Sequence, residues 1–218
     1  MNDKAVIFDM DGVLADTGPW HRRAWEELAA QHGVSTDESF FRTHFGKVNR
    51  VILPLLFGQD LAEEELEQLG RRKEEIFRRL YRRRIEAFPG VIRFADALGQ
   101  AGYQLAVGSS GPRDNVQMVL EGIGLAPALS AVVTGEDVSR GKPDPEVFLL
   151  AAAALDLAPG RCVVVEDAVV GVEAARAAGM VCVAVTNTHP AEAFHAAQLV
   201  VDSLEPLSPG DIDVLLGR

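Results

Sequence analysis

The stretch Ala5-Val6-Ile7-Phe8-Asp9-Met10-Asp11-Gly12 decides the fold. Four apolar residues read as a buried strand, and two acids and a glycine follow at once. That order puts carboxylates at the carboxyl edge of a sheet, where open α/β folds bind ligands. Gly12 permits a turn in which one acid faces a substrate while its neighbour contributes a backbone carbonyl. Alone, Asp-x-Asp-Gly is modest evidence, because a polar turn reads the same way.

Working outward, short β-branched runs at 103–107, 131–134, 162–165 and 181–185 alternate with amphipathic or Ala-rich stretches at 112–121, 145–155 and 170–178. A final short strand is predicted at 200–201. Strand and helix in alternation mean a parallel sheet with helices on both faces, so the predicted class is α/β: a doubly wound, Rossmann-like parallel sheet with the 5–8 strand at its centre. Residues 16–87 read differently. Trp20, Ala24, Trp25 and Leu28 fall on one helical face, with Thr17 as a cap, Pro19 in the first turn and Gly33 past the end. A longer helical pattern runs from Leu61 through Leu66, Leu69, Ile76, Phe77, Leu80 and Tyr81 to Ile85, ahead of Pro89-Gly90. An all-helical domain over 16–87 is therefore expected to interrupt a core domain of 1–15 and 88–218.

A chain of 218 residues, 48% hydrophobic, supports one good-sized core plus a smaller unit. Lysine and arginine balance aspartate and glutamate over 16–87, so the whole net charge of −11 sits in the remainder. An acidic core argues against a nucleic-acid partner. The apolar run before Asp9 is too short for a secretory signal or a membrane span, so a cytoplasmic protein without membrane attachment is expected. Cys162 and Cys182 lie in apolar strand-like runs and read as buried, reduced thiols.

Three further polar positions follow apolar strands at the same edge. Ser109 follows Leu105-Ala106-Val107-Gly108. Lys142 lies in Gly141-Lys142-Pro143-Asp144-Pro145. Glu166-Asp167 closes Val163-Val164-Val165 and precedes Gly171 and a helix. Singly these are a capping hydroxyl, a surface lysine and a capping acid; jointly, each at a strand end, they read as one site. With Asp9-Met10-Asp11-Gly12 they resemble the four motifs of the haloacid dehalogenase superfamily, over residue 4 to about 187. The helical insert resembles that superfamily's small helical-bundle cap, as in the group containing phosphoglycolate phosphatases and beta-phosphoglucomutases.

The residue types also suit phosphoryl transfer, which needs an in-line nucleophile, neutralised phosphoryl oxygens and a proton for the leaving group. Asp9, Asp11, Glu166 and Asp167 could not all stay ionised without a cation, and an all-oxygen site suits Mg²⁺. The expected roles are Asp9 as nucleophile and ligand, and the Asp11 carbonyl and Asp167 as further ligands. Glu166 is expected as ligand or support, and the Asp11 carboxyl as acid and base. Ser109, Ser110 and Lys142 are expected to bind the phosphoryl group. Asp11 argues against carbon–halogen cleavage, because the superfamily's dehalogenases have no acid there and use no metal. There is no Gly-x-Gly-x-x-Gly after the first strand and no Gly-Lys-Ser/Thr loop, which excludes the common dinucleotide and ATP sites.

The resemblance makes His21, Lys47, Asn49, Arg50 and Lys73 the candidates for substrate contacts from the cap. Arg50 matches the arginine with which mutases hold a distal phosphate. The rest of the Arg71–Arg84 run is expected to be a solvated face paired with Glu63, Glu67, Glu74 and Glu75. Mutases typically carry Ser-x-Ser-Lys-Asn after the second motif; here the loop is Ser109-Ser110-Gly111-Pro112-Arg113, in which Arg113 could replace part of the lost grip. The expected activity is hydrolysis of a small phosphorylated metabolite by a monomer, the alternative a beta-phosphoglucomutase-type mutase. A non-catalytic scaffold is a minor third reading, since Asp9, Asp11, Lys142 and Asp167 are all intact.

Overall fold

The strand β1 (Ala5–Phe8) is buried along its whole length. In the computed structural model, which describes residues 3–37, 40 and 48–217, it pairs in parallel with β2 (Gln104–Gly108) on one side and β4 (Cys162–Glu166) on the other. β3 (Ala131–Val133) extends the sheet beyond β2, and β5 (Val181–Val185) and β6 (Leu199–Val201) extend it beyond β4. The order is β3-β2-β1-β4-β5-β6, every pair parallel. This is the doubly wound sheet expected, with its strand order reversing at β1, and such a reversal opens a crevice beyond the carboxyl ends of the strands. Asp9 and Glu166–Asp167 emerge there.

The helices in chain order are α1 (Gly18–Gln31), α2 (Asn49–Phe57), α3 (Glu63–Tyr81), α4 (Val91–Gln100), α5 (Arg113–Gly122), α6 (Glu146–Ala154), α7 (Val169–Ala177) and α8 (Pro209–Leu216). The last five flank the sheet. A core of Ile7, Ala106, Val164, Phe148 from α6 and Ala174 from α7 is excluded from water. Phe148 alone contributes about 1.5–3 kcal/mol of transfer free energy. Cys162 and Cys182 are buried free thiols, as expected. Among the described residues no helix is long and apolar enough to cross a membrane.

The chain divides into two compact units, Met1–Asp16 with Ile85–Arg218, and Thr17–Arg84. The junctions fall at 16/17 and 84/85, where the sequence suggested 15/16 and 87/88. Ala15 forms a β-bridge with Ala87, and Phe88 donates its N–H to the Leu14 carbonyl, so the returning segment belongs with the α/β unit.

Within the helical unit α1 buries Ala24, Trp25, Leu28 and Ala29, the face that the sequence predicts. Thr17 stands at its N-cap position but makes no side-chain capping bond, and its side chain is buried instead. The long pattern from 61 to 85 is trimmed at both ends to α3. Three glutamates in the first turn and Arg78 and Arg79 in the last complement the helix dipole, and the Glu65 carboxylate accepts the Ala62 N–H. The sequence reading did not place α2, which carries Pro54, a residue without a backbone donor, in its interior.

Candidate active site

The first acid is placed by the ladder itself. The Asp9 N–H donates to the Val165 carbonyl at 2.9 Å, carrying the sheet one residue past β1 before the chain turns. Gly12 then takes φ +77°, and a Cβ there would overlap the Asp167 carboxylate and lie 2.9 Å from the Thr188 hydroxyl oxygen. Only glycine meets both conditions, which is why two acids can stand so close to a third from the neighbouring strand.

Lys142 reaches the cluster from the segment between β3 and α6. Its Nζ donates to Asp9 Oδ1 at 2.5 Å and to Glu166 Oε1 at 2.7 Å, with the Phe148 ring 4.7 Å away. The other Glu166 oxygen accepts the backbone N–H groups of Asp167 and Ala168, each at 2.9 Å. Both oxygens of Glu166 are thus engaged by the protein, and the carboxylate serves as a brace between Lys142 and the start of α7. One ligand atom each from Asp9, Glu166 and Asp167 lie within 4.8 Å of one another.

The electrostatics of this group are unbalanced. Asp9 and Asp167 are 6% and 5% exposed. Burial raises the Asp9 pKa well above the usual carboxylate range; Lys142 opposes that, and Glu166, Asp167 and Asp11 add to it. Asp167 is pushed up to about 7, by burial first and then by Glu166. For Lys142 burial would favour the neutral amine, but Asp9 and Glu166 outweigh it and hold the ammonium above its ordinary pKa. We take Lys142 and Asp9 as an ion pair, given their 2.5 Å separation. One ammonium then serves three buried carboxylates, and a hard divalent cation with oxygen ligands is the group that would complete the balance.

Ser109 is fully buried and its hydroxyl oxygen accepts the Gly111 N–H at 3.0 Å, which folds the loop after β2 back on itself. Ser110 is exposed. An Asp11 carboxylate oxygen lies 3.7 Å from where a Gly111 Cβ would stand, so this loop and the second acid are neighbours. Arg113 is committed elsewhere: its guanidinium donates to Asp137 at 2.5 Å, and its backbone N–H to Glu136 at 3.2 Å.

The helical unit gathers three of its candidates. Lys73, 3% exposed, has its Nζ 2.9 Å from Glu74 Oε1 and 2.7 Å from His21 Nδ1. Asn49 donates to the same Glu74 oxygen at 2.9 Å, and the His21 ring stacks on Phe77 at 3.8 Å. Burial would raise the Glu74 pKa, but Lys73, His21 and Asn49 together lower it. Arg50 stands apart from this cluster, in an exposed ion pair with Glu63. Arg71 and Arg72 pair with Glu67 and Glu75 on the solvated face. Lys47 lies outside the described residues.

Sequence reasoning missed Glu74, read only as a surface partner, and Asn187 and Thr188 after β5. The Thr-Asn-Thr-His-Pro run at 186–190 carries no chemical signature. It also missed the tight fit at Gly171, where a Cβ would overlap the Glu166 carboxylate. Gly171→Ala should therefore cost about 1–3 kcal/mol through overpacking. The melting temperature should drop by about 2–4 °C for each of these kcal/mol. An unchanged melting curve would mean that Glu166 can step aside freely.

A family model described as haloacid dehalogenase-like hydrolase matches residues 4–179. Validoxylamine A 7'-phosphate phosphatase of Streptomyces hygroscopicus subsp. limoneus is 33% identical over 210 residues, covering 92% of this chain and 94% of the relative. Hexitol phosphatase A of Escherichia coli (strain K12) is 35% identical over 213 residues, covering 95% and 94%. The crystal structure of a beta-phosphoglucomutase from Clostridium difficile superposes with a TM-score of 0.87 at 27% identity, covering 100% of this chain and 98% of that one.

Proposed function

The chain belongs to the haloacid dehalogenase-like hydrolase family, and from that premise we propose that it hydrolyses a small phosphorylated metabolite, such as a sugar phosphate, through a phospho-aspartate at Asp9. The observation that carries this reading is the Lys142 ammonium shared between Asp9 and Glu166 at the carboxyl edge of the sheet. An ammonium there keeps Asp9 an anion in a buried setting and can also hold a phosphoryl oxygen.

Asp9 Oδ attacks phosphorus as the bond to the leaving oxygen breaks, and the Asp11 carboxyl gives its proton to the departing alkoxide. The Asp11 carboxylate then takes a proton from water as that water attacks the aspartyl phosphate, which releases inorganic phosphate and restores Asp9. The Ser109 hydroxyl, whose oxygen accepts the Gly111 N–H, would donate its hydrogen to the phosphoryl group, with Ser110 and the loop amides as further donors. Asp9, Asp167 and the Asp11 carbonyl would hold Mg²⁺, with Glu166 bracing them, and the ion would neutralise phosphoryl charge. We read Thr17–Arg84 as a cap that selects the leaving group, with His21, Asn49, Arg50 and Lys73 as its contributors.

Hydrolysis is preferred to isomerisation because of Arg113. The loop after β2 has Gly111-Pro112-Arg113 where mutases carry serine, lysine and asparagine, and the one cation left in it is occupied by Asp137 and Glu136. A charge-assisted contact is worth about 1.5–3 kcal/mol, so losing one or two costs roughly tenfold to a thousandfold in selecting a sugar hydroxyl over water. Given beta-glucose 1-phosphate, Mg²⁺ and a bisphosphate primer, the protein should release inorganic phosphate faster than it forms glucose 6-phosphate. Arg50→Ala should change substrate choice more than the rate of Asp9 chemistry. Accumulation of glucose 6-phosphate many turnovers ahead of free phosphate would establish the mutase instead.

A further inference from the structure

Three successive side chains on the segment leaving β5 each make one bond, and they fan out to three different places. Thr186 Oγ1 donates to Asp202 at 2.9 Å, and its backbone N–H donates to the Val201 carbonyl at 3.0 Å, anchoring the segment to the end of β6. Asn187 Nδ2 donates to the Gly12 carbonyl at 2.7 Å. Thr188 donates its hydroxyl to Asp167 Oδ2. The second and third reach across the crevice to the two loops that carry the acids, although they lie 175 and 21 residues from their partners in sequence.

We propose that Asn187 and Thr188 are positioning residues for the acid cluster: Thr188 fixes the rotation of the Asp167 carboxylate, and Asn187 pins the Gly12 turn that carries Asp11. The reason is geometric. The terminal torsion of an aspartate is broad and roughly two-fold, so a carboxylate with no fixed partner samples many orientations. Glu166 is locked by Lys142 and two backbone amides, and Asp9 is held by Lys142. For Asp167 the lock is the Thr188 hydroxyl, which occupies Oδ2 and leaves Oδ1 as the oxygen to meet a cation. Gly12 completes the arrangement, since a side chain there would fill the space shared by Asp167 and Thr188. Partners that orient a ligating carboxylate typically change metal affinity ten- to a hundredfold when lost.

This role rests on the reading of Asp167 as a Mg²⁺ ligand, and the experiment separates the two. Mg²⁺ binding to the purified full-length protein is measured directly by titration calorimetry, in the absence of substrate, for wild type, Thr188→Val, Thr188→Ser, Asn187→Ala and Asp167→Asn. Thr188→Val keeps the shape and removes the hydroxyl, so its Mg²⁺ Kd should rise about ten- to a hundredfold, while Thr188→Ser should stay within about threefold of wild type. Asn187→Ala should lower kcat more than it raises the Mg²⁺ Kd, because it loosens the turn bearing Asp11 and leaves the Asp167 hydrogen bond in place. Both positions are at least partly exposed on a loop, so folding is not at stake, and unchanged melting curves without Mg²⁺ check this. Wild-type affinity in Thr188→Val, or failure of serine to restore it, overturns the role of Thr188. Unchanged kcat in Asn187→Ala overturns that of Asn187. Wild-type Mg²⁺ binding by Asp167→Asn overturns the ligand reading beneath both.

Discussion

Asp9→Asn should lower turnover by at least about a thousandfold while leaving the fold and its thermal stability close to wild type. The amide keeps the shape of the side chain and the place in the ladder set by the Asp9 N–H and the Val165 carbonyl, but it has no anionic oxygen with which to attack phosphorus. Stability should survive because Lys142 keeps Glu166 as a counter-ion at 2.7 Å, so the substitution does not strand a buried charge. It also removes one carboxylate from a crowded, poorly solvated group. Turnover above about a tenth of wild type in the purified variant, with contaminating phosphatase excluded, would overturn the covalent mechanism.

Chelation should be nearly as damaging. With EDTA present, phosphate release should fall below detection and return on adding excess Mg²⁺, because among the described residues one ammonium, that of Lys142, pairs with this group of Asp9, Glu166 and Asp167, too little charge to balance them and an incoming phosphoryl group. Ca²⁺ in place of Mg²⁺ should inhibit, since a larger ion that tolerates more ligands favours bidentate binding by Asp9 and ties up its attacking oxygen. Mg²⁺ should also raise the melting temperature of the substrate-free protein, as any ligand that binds only the folded state must. Undiminished turnover after exhaustive chelation would sink the metal assignment, whatever the response of the melting curve.

A good part of this protein was legible in its sequence, because it depends on short-range order. Four apolar residues followed by Asp9 fix where the first acid emerges. The same logic places Ser109 after β2 and Glu166–Asp167 at the end of β4, since a strand buried on both faces must end where polarity begins. Alternation of strand and helix gave the parallel sheet, with β1 at the point where the strand order reverses. The α1 face carrying Trp25 and Leu28 followed from helical spacing alone. Most strand and helix ends moved by a residue or two, α3 stopped four residues short of Ile85, and α2, with Pro54 in its interior, was not placed.

What the sequence left open concerns partners, because a side chain's partner is chosen by the fold across tens to hundreds of residues. Lys142 could be named, but its simultaneous hold on Asp9, 133 residues away, and on Glu166 exists only once β1 and β4 lie side by side. Arg113 was available to a phosphate on sequence grounds and is taken by Asp137, from the segment beyond β3. Lys73 and Glu74, neighbours on a helix that reads as solvated, are buried together against His21 and Asn49. Asn187 and Thr188 carried no signal at all: nothing in a Thr-Asn-Thr run says that it will meet Gly12 and Asp167. Residue type and strand ends decided which groups reach the crevice; tertiary packing decided which of them are paired, and so which remain to do chemistry.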